Sequence, residues 1–182
     1  MFSQASTKLK SSLWLIAVAI LSFSLVIEGS AKDLSKQANK RVTDVTLKKA
    51  TNLASDARDA SEKQIPVLMF FSMNHCPYCI EVEEDYLKPM LRNTEYDDKV
   101  IIRKIKIDGT DDIRDFTGKE RDVEEFSDEY NISIVPTVIL VDSKGKKIAP
   151  PIKGITNSHY YSYNLDKAID QSTKRIRTLA RR

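Results

Sequence analysis

An α/β domain built around a small buried sheet is predicted by three stretches of this sequence and by what lies between them. Residues 66–71, PVLMFF, form a continuous apolar hexamer, too short for a buried helix and rich in aromatics, as expected of a strand covered on both faces. Residues 99–108, KVIIRKIKID, are a β-branched run, and residues 137–141, TVILV, are a third apolar stretch of strand length. The segments between and around them carry apolar residues at helical spacing, so the predicted order is α, β, α, β, α, β, β, α.

The chain opens with Lys8 and Lys10 and continues through Leu13 to Ile27 as a 15-residue apolar run. It then reaches Gly29, Ser30 and Ala31, small residues at the spacing of a signal-peptidase site. Residues 1–31 are therefore expected to be a cleaved export signal and residues 32–182 a single domain. The apolar run is short for a span that needs about 20 residues, and its alternative use is an uncleaved membrane anchor over residues 13–27. Removing residues 1–31 leaves 27 basic and 25 acidic side chains. A net charge of +2 points to no nucleic-acid partner. The terminal Lys174, Arg175, Arg177, Arg181 and Arg182 complement the dipole of a last helix.

Taken in order, residues 41–62 place Val42, Val45, Leu47, Ala50, Leu53, Ala54 and Ala57 at helical spacing with no Pro or Gly, which predicts a five-turn helix. After the first strand, Cys79, Val82, Tyr86 and Met90 form the apolar stripe of a second helix, with Glu81, Glu83, Glu84 and Asp85 mostly on its other faces. Pro89 should kink this helix or end it near Lys88. Residues 109–123 are too polar for a core element and read as an extended loop with at most a short helical turn; a helix over residues 124–130 follows. Beyond the third strand, Ser143, Lys144 and Gly145 mark a turn, and a fourth strand runs from Lys146 to about Lys153. Leu165, Ala168, Ile169, Ile176 and Leu179 make the last segment an amphipathic helix.

The two cysteines, Cys76 and Cys79, stand two residues apart between the first strand and the second helix. As a structural staple they are poorly placed, because so short a loop restrains the unfolded chain far less than the ~15-residue loops worth about 3 kcal/mol. As a zinc site they lack ligands: the only histidines are His75, adjacent to Cys76, and the distant His159. No metal is expected. The remaining reading is redox chemistry. A cysteine at a helix N-terminus meets unpaired N–H groups and the positive end of the dipole, which favour its thiolate. Cys76 fits that place, and Cys79, one turn deeper, can attack the mixed disulfide that Cys76 forms. A C-x-x-C pair that follows a buried strand and opens a helix in a β-α-β unit is the setting of a redox motif.

With these residues the sequence resembles the thioredoxin-like superfamily, in particular its exported bacterial branch. The resemblance runs from about Val67 to Ile169 and rests on PVLMFF, the CPYC of residues 76–79, IKID at residues 105–108, and YNISIVPTVILVDSKGK at residues 130–146. It implies a thioredoxin fold: a central mixed four-stranded sheet flanked by helices, here with an extra N-terminal helix. It also implies a cis-proline at Pro136 facing the cysteines, with Val135 and Pro136 binding substrate, and His75, Pro77 and Tyr78 supporting the pair. The CPYC motif looks like the glutaredoxin version, but ITNSHYY after Gly154 has no counterpart of the glycine-pair glutathione signature. The family's buried acid ahead of the motif maps to Phe70. The short loop at residues 109–123 is not the helical insertion of the disulfide oxidases.

The function expected is an exported thiol–disulfide oxidoreductase that reduces disulfides in client proteins, with Cys76 as nucleophile, Cys79 as resolving thiol and no cofactor beyond that pair. Its partners would be disulfide-bearing clients and a membrane-embedded thiol electron donor, the protein itself being a monomer. An oxidase or isomerase on the same fold, and a non-catalytic binding module, are the alternatives. The sequon at Asn131, Ile132 and Ser133 would put a glycan beside Pro136 in a eukaryotic secretory pathway, which favours the bacterial periplasm.

Overall fold

The computed structural model describes residues 45–181. The expected export signal and residues 32–44 lie outside the described residues. Among those described, no helix is long and apolar enough to cross a membrane.

The elements are α1 (Leu53–Lys63), β1 (Val67–Ser72), α2 (Pro77–Glu81), a π-helical turn (Val82–Leu87) that leads directly into α3 (Lys88–Arg92), and β2 (Ile101–Lys106). There follow β3 (Ile113–Arg114), β4 (Glu120–Arg121), α4 (Val123–Glu129), β5 (Thr137–Val141), β6 (Ile152–Lys153) and α5 (Ser158–Ala180). The sheet order is β2-β1-β5-β6, with β1 parallel to β2 and antiparallel to β5, and β5 antiparallel to β6. This is the mixed four-stranded sheet of the thioredoxin-like fold, flanked by helices and preceded by an N-terminal helix.

Alternation along the buried strands divides the interior in two. Leu68 and Phe70 of β1 with Val138 and Leu140 of β5 pack against Cys79, Val82, Leu87, Tyr161, Leu165 and Ile169 of the motif helix and α5. Val67, Met69 and Phe71 with Ile139 and Val141 face the opposite way, towards Leu53 and Ala60 of α1 and Val123 and Phe126 of α4. Every residue of β1 and β5 is buried, which is why neither strand shows polar alternation in the sequence.

Four sequence expectations need correction. The described part of the N-terminal segment is helical only from Leu53. Residues 45–52 run extended beside β2, the Ala50 N–H donating to the Lys104 carbonyl (2.9 Å) and the Lys104 N–H to the Lys48 carbonyl (2.9 Å). Leu47 and Ala50 thus enter opposite cores. Asn52 caps the helix, its side chain accepting from the Ser55 N–H at 3.1 Å. Second, of the two outcomes expected at Pro89, a kink or an end near Lys88, the end does not occur. The ladder widens ahead of it, the Lys88 N–H donating to the Glu83 carbonyl five residues back, and helix continues to Arg92. A π-turn relieves the clash that a proline ring makes with the carbonyl four residues earlier. Third, residues 109–123 hold a two-stranded hairpin, β3 with β4, in place of a helical turn. Fourth, the last strand is confined to Ile152–Lys153, with a single bridge between Val141 and Lys147 before it.

Candidate active site

β1 delivers the chain to the cysteines. After Ser72, the Asn74 N–H donates to the carboxylate of Asp108 just beyond β2 (2.8 Å), and His75 turns the backbone at a φ of 55°, in the left-handed region. Cys76 then takes the N-cap of α2, its carbonyl accepting from Cys79 and Ile80 N–H (3.1 Å each) and its sulfur from the Cys79 N–H (3.2 Å). Pro77 stands at the first helical position, where its missing N–H costs no hydrogen bond.

Cys76 and Cys79 are joined as a disulfide with Cα atoms 5.2 Å apart. The two sulfurs differ in access: Cys76 is half-buried, whereas Cys79 is 3% exposed and belongs to the core. Tyr78 between them is 62% exposed, and His75 is exposed.

The Val135–Pro136 peptide bond is cis. Phe71 pairs with Thr137, so Pro136 lies at the carboxyl end of β1, the end from which the chain enters the cysteine loop. Val135 is half-buried and packs against the core that contains Cys79. Met73, Tyr78, Ile80 and Ile134 are the exposed large apolar side chains that flank the cysteines and Pro136 in the chain. Among the described residues no group of three or more His, Cys, Asp or Glu side chains could hold a metal ion.

One pair escaped the sequence reading. Glu83, assigned with its acidic neighbours to the outer faces of the helix, turns inward and accepts a hydrogen bond from the ammonium of Lys104 on β2. Its spacing of four from Cys79 is the signal that could have found it. The outer-face assignment holds for Glu84 and Asp85, which are exposed. Tyr86, on the same stretch, donates its hydroxyl to the Ser158 carbonyl (3.2 Å); burial, then the charges of Glu81 and Asp85, push that phenol up from its ordinary value.

Residues 53–169 match the family model of the thioredoxin-like domain. The chain belongs to this family. Among solved structures it is similar to mitochondrial thioredoxin 3 from Saccharomyces cerevisiae, at 20% identity, covering 68% of this chain and 93% of that one with a TM-score of 0.46. It is also similar to Fasciola hepatica thioredoxin, at 15% identity over 69% of this chain and 99% of that one with a TM-score of 0.47. A third is thioredoxin f from spinach chloroplast, at 17% identity over 68% and 86% with a TM-score of 0.47. No curated protein matches the chain. Membership of a thioredoxin-like family, with a C-x-x-C pair at disulfide distance, supports a thiol–disulfide oxidoreductase.

Proposed function

We propose that this protein is an exported reductase of client-protein disulfides, working in the periplasm as a monomer and kept reduced by a membrane-embedded thiol donor. The observation that supports it most is the asymmetry of the two sulfurs, one accessible at a helix N-cap and one in the core. In the reduced protein, the Cys76 thiolate attacks one sulfur of a client disulfide; a Cys76–client disulfide forms and the other client sulfur leaves as thiolate. Cys79 then attacks Cys76, the Cys76–Cys79 bond closes, and the second client thiol leaves. Two electrons have passed from the dithiol to the client. Backbone groups at Val135 and Pro136 are the proposed contacts for the client chain, with His75, Pro77 and Tyr78 shaping the approach to Cys76.

The order of attack is tested by substitution. Cys79→Ser should accumulate client mixed disulfides through Cys76, seen as thiol-sensitive adducts, and Cys76→Ser should accumulate none. Adducts through Cys79 in the Cys76→Ser protein would reverse the assignment. Direction is tested by equilibration against glutathione. Reductants of this fold lie near about −270 mV and its strongest oxidants near about −120 mV; the expected value is about −180 to −250 mV, and one above about −150 mV would make oxidase the better reading.

A further inference from the structure

We propose that the outer face of α5 is a docking surface for an anionic phospholipid membrane. The inference goes beyond the redox reading and does not depend on its direction. The α5 residues that pack into the core, Tyr161, Leu165, Ile169 and Ile176, follow one side of the helix. On the opposite side, Tyr160, Tyr163, Lys167, Lys174 and Arg181 recur at intervals of three, four, seven and seven, which places them along a single line. All five are exposed.

Two ordinary reasons for such a face fall short. Cations near a helix C-terminus complement its dipole, but that effect fades within the last turn, to which only Arg177 of the α5 cations belongs. Lys174 precedes that turn, and Lys167 stands about two turns earlier still. The other ordinary reason is a solvated face balanced by its own acids. Here Asp166 and Asp170 face five cations, Lys167, Lys174, Arg175, Arg177 and Arg181. Both acids are turned to other elements: Asp166 accepts from the Tyr96 hydroxyl (2.6 Å), and Asp170 lies 4.0 Å from the Lys99 ammonium. Among the described residues no carboxylate pairs with Lys167, Lys174, Arg177 or Arg181. The positive charge along this face is thus not cancelled.

The tyrosines point to a bilayer as the partner. Tyr160 is 61% and Tyr163 59% exposed, and the Lys167 ammonium sits 5.8 Å from the centre of the Tyr163 ring. Rings with a polar tip set beside cations match the headgroup layer, where the ring meets the acyl boundary and the cations meet phosphates. From Tyr160 to Arg181 the line is about 30 Å long at ~1.5 Å per residue, long enough to lie along a surface. α5 starts four residues after Gly154, whose N–H donates to the Pro136 carbonyl (2.8 Å). The tyrosines therefore belong to the end of the fold that carries the cysteines, and docking along α5 holds that end beside the bilayer, where a membrane-embedded thiol donor would meet it.

Vesicle flotation of the full chain tests this. Every protein compared carries Val18→Glu, which puts a charge in the middle of the apolar run of residues 13–27 and removes it as a second means of binding. At about 0.05 M salt the chain should partition onto phosphatidylcholine vesicles containing about one-third phosphatidylglycerol about 100-fold more strongly than onto phosphatidylcholine alone, and most of that preference should vanish at about 0.5 M salt. Lys167→Gln, Lys174→Gln and Arg181→Gln together should remove about 100-fold, since each cation near an anionic surface contributes about fivefold. The same charge change at the exposed Lys119, Lys144 and Lys146 should stay within about threefold. Tyr160→Ser with Tyr163→Ser should cost roughly tenfold on the anionic vesicles. All these side chains are exposed, so unchanged circular dichroism is expected in each variant. Equal partition onto the two kinds of vesicle, equal loss in the two cation sets, or binding to polyglutamate with none to vesicles overturns the proposal. Flotation involves no thiol chemistry, so its result stands whether or not the protein reduces disulfides.

Discussion

At the residue scale, two sulfurs three positions apart have been given different environments by one turn of helix. Cys76 caps that turn from outside, while Cys79 begins the stripe continued by Val82 and buried against Phe70 and Leu165. Reactivity follows thiolate character and access, so after reduction iodoacetamide should modify Cys76 roughly tenfold faster than Cys79, as followed by peptide mass. Equal rates would show that burial does not separate them. This division was legible in the sequence because helical spacing alone places the first cysteine at the tip and the second on the apolar stripe. The orientation of Glu83 was only half legible: its spacing of four from Cys79 puts it on that side of the helix, but what draws it inward is Lys104, 21 residues further on.

At the element scale, short connections are held by side chains that reach across the fold. The turn after β5 closes on Asp142, whose carboxylate accepts from Lys144 and Lys146 N–H (2.9 Å each), and the Tyr130 hydroxyl donates to the Gly145 carbonyl (2.8 Å). Gly145 has a φ of +77°, and a Cβ there would come within 2.7 Å of the Phe116 ring and 2.8 Å of the Tyr130 hydroxyl. Gly145→Ala should therefore destabilise the protein by about 1–3 kcal/mol through left-handed backbone strain and overpacking, measured by urea unfolding. An unchanged midpoint would mean that Phe116 moves freely, and hence that the segment between β3 and β4 is not anchored to this turn. The turn itself could be read from Ser143, Lys144 and Gly145, but its clamp by Phe116 depends on a hairpin whose strands are two residues each, too short to carry a periodic signal.

At the scale of the whole molecule, two apolar cores on opposite faces of one sheet hold several phenols out of water. Burial raises Tyr96, Tyr130 and Tyr161 well above their usual range, and the hydrogen bond from Tyr96 to Asp166 adds to its shift. A phenol whose folded value is raised contributes stability that is fully present below its unfolded value near 10 and is lost as pH rises through the folded value. Phenolate absorbance should thus fall short of the chain's seven tyrosines in alkaline buffer, the missing amplitude appearing together with loss of far-ultraviolet circular dichroism. A smooth titration of all seven while the fold stays intact would show these rings to be accessible.

What the sequence by itself determined is whatever local pattern can encode. Two of the three long strands are apolar runs and the other, Ile101–Lys106, is a β-branched run carrying Arg103, Lys104 and Lys106; the cysteine pair is marked by its place between a strand and a helix, and the last helix by its 3.6-residue stripe. What only the tertiary structure decided involves partners distant in the chain. Residues 45–52 have helical spacing, yet run extended because Lys104 supplies backbone hydrogen bonds that outweigh a weak intrinsic preference. The helix survives Pro89 because its ladder can widen by one residue where Val82, Leu87 and Met90 are already anchored in the core. Glu83 faces inward because a cation from β2 meets it there. In each case local sequence left near-equal choices, and contacts between distant segments selected among them.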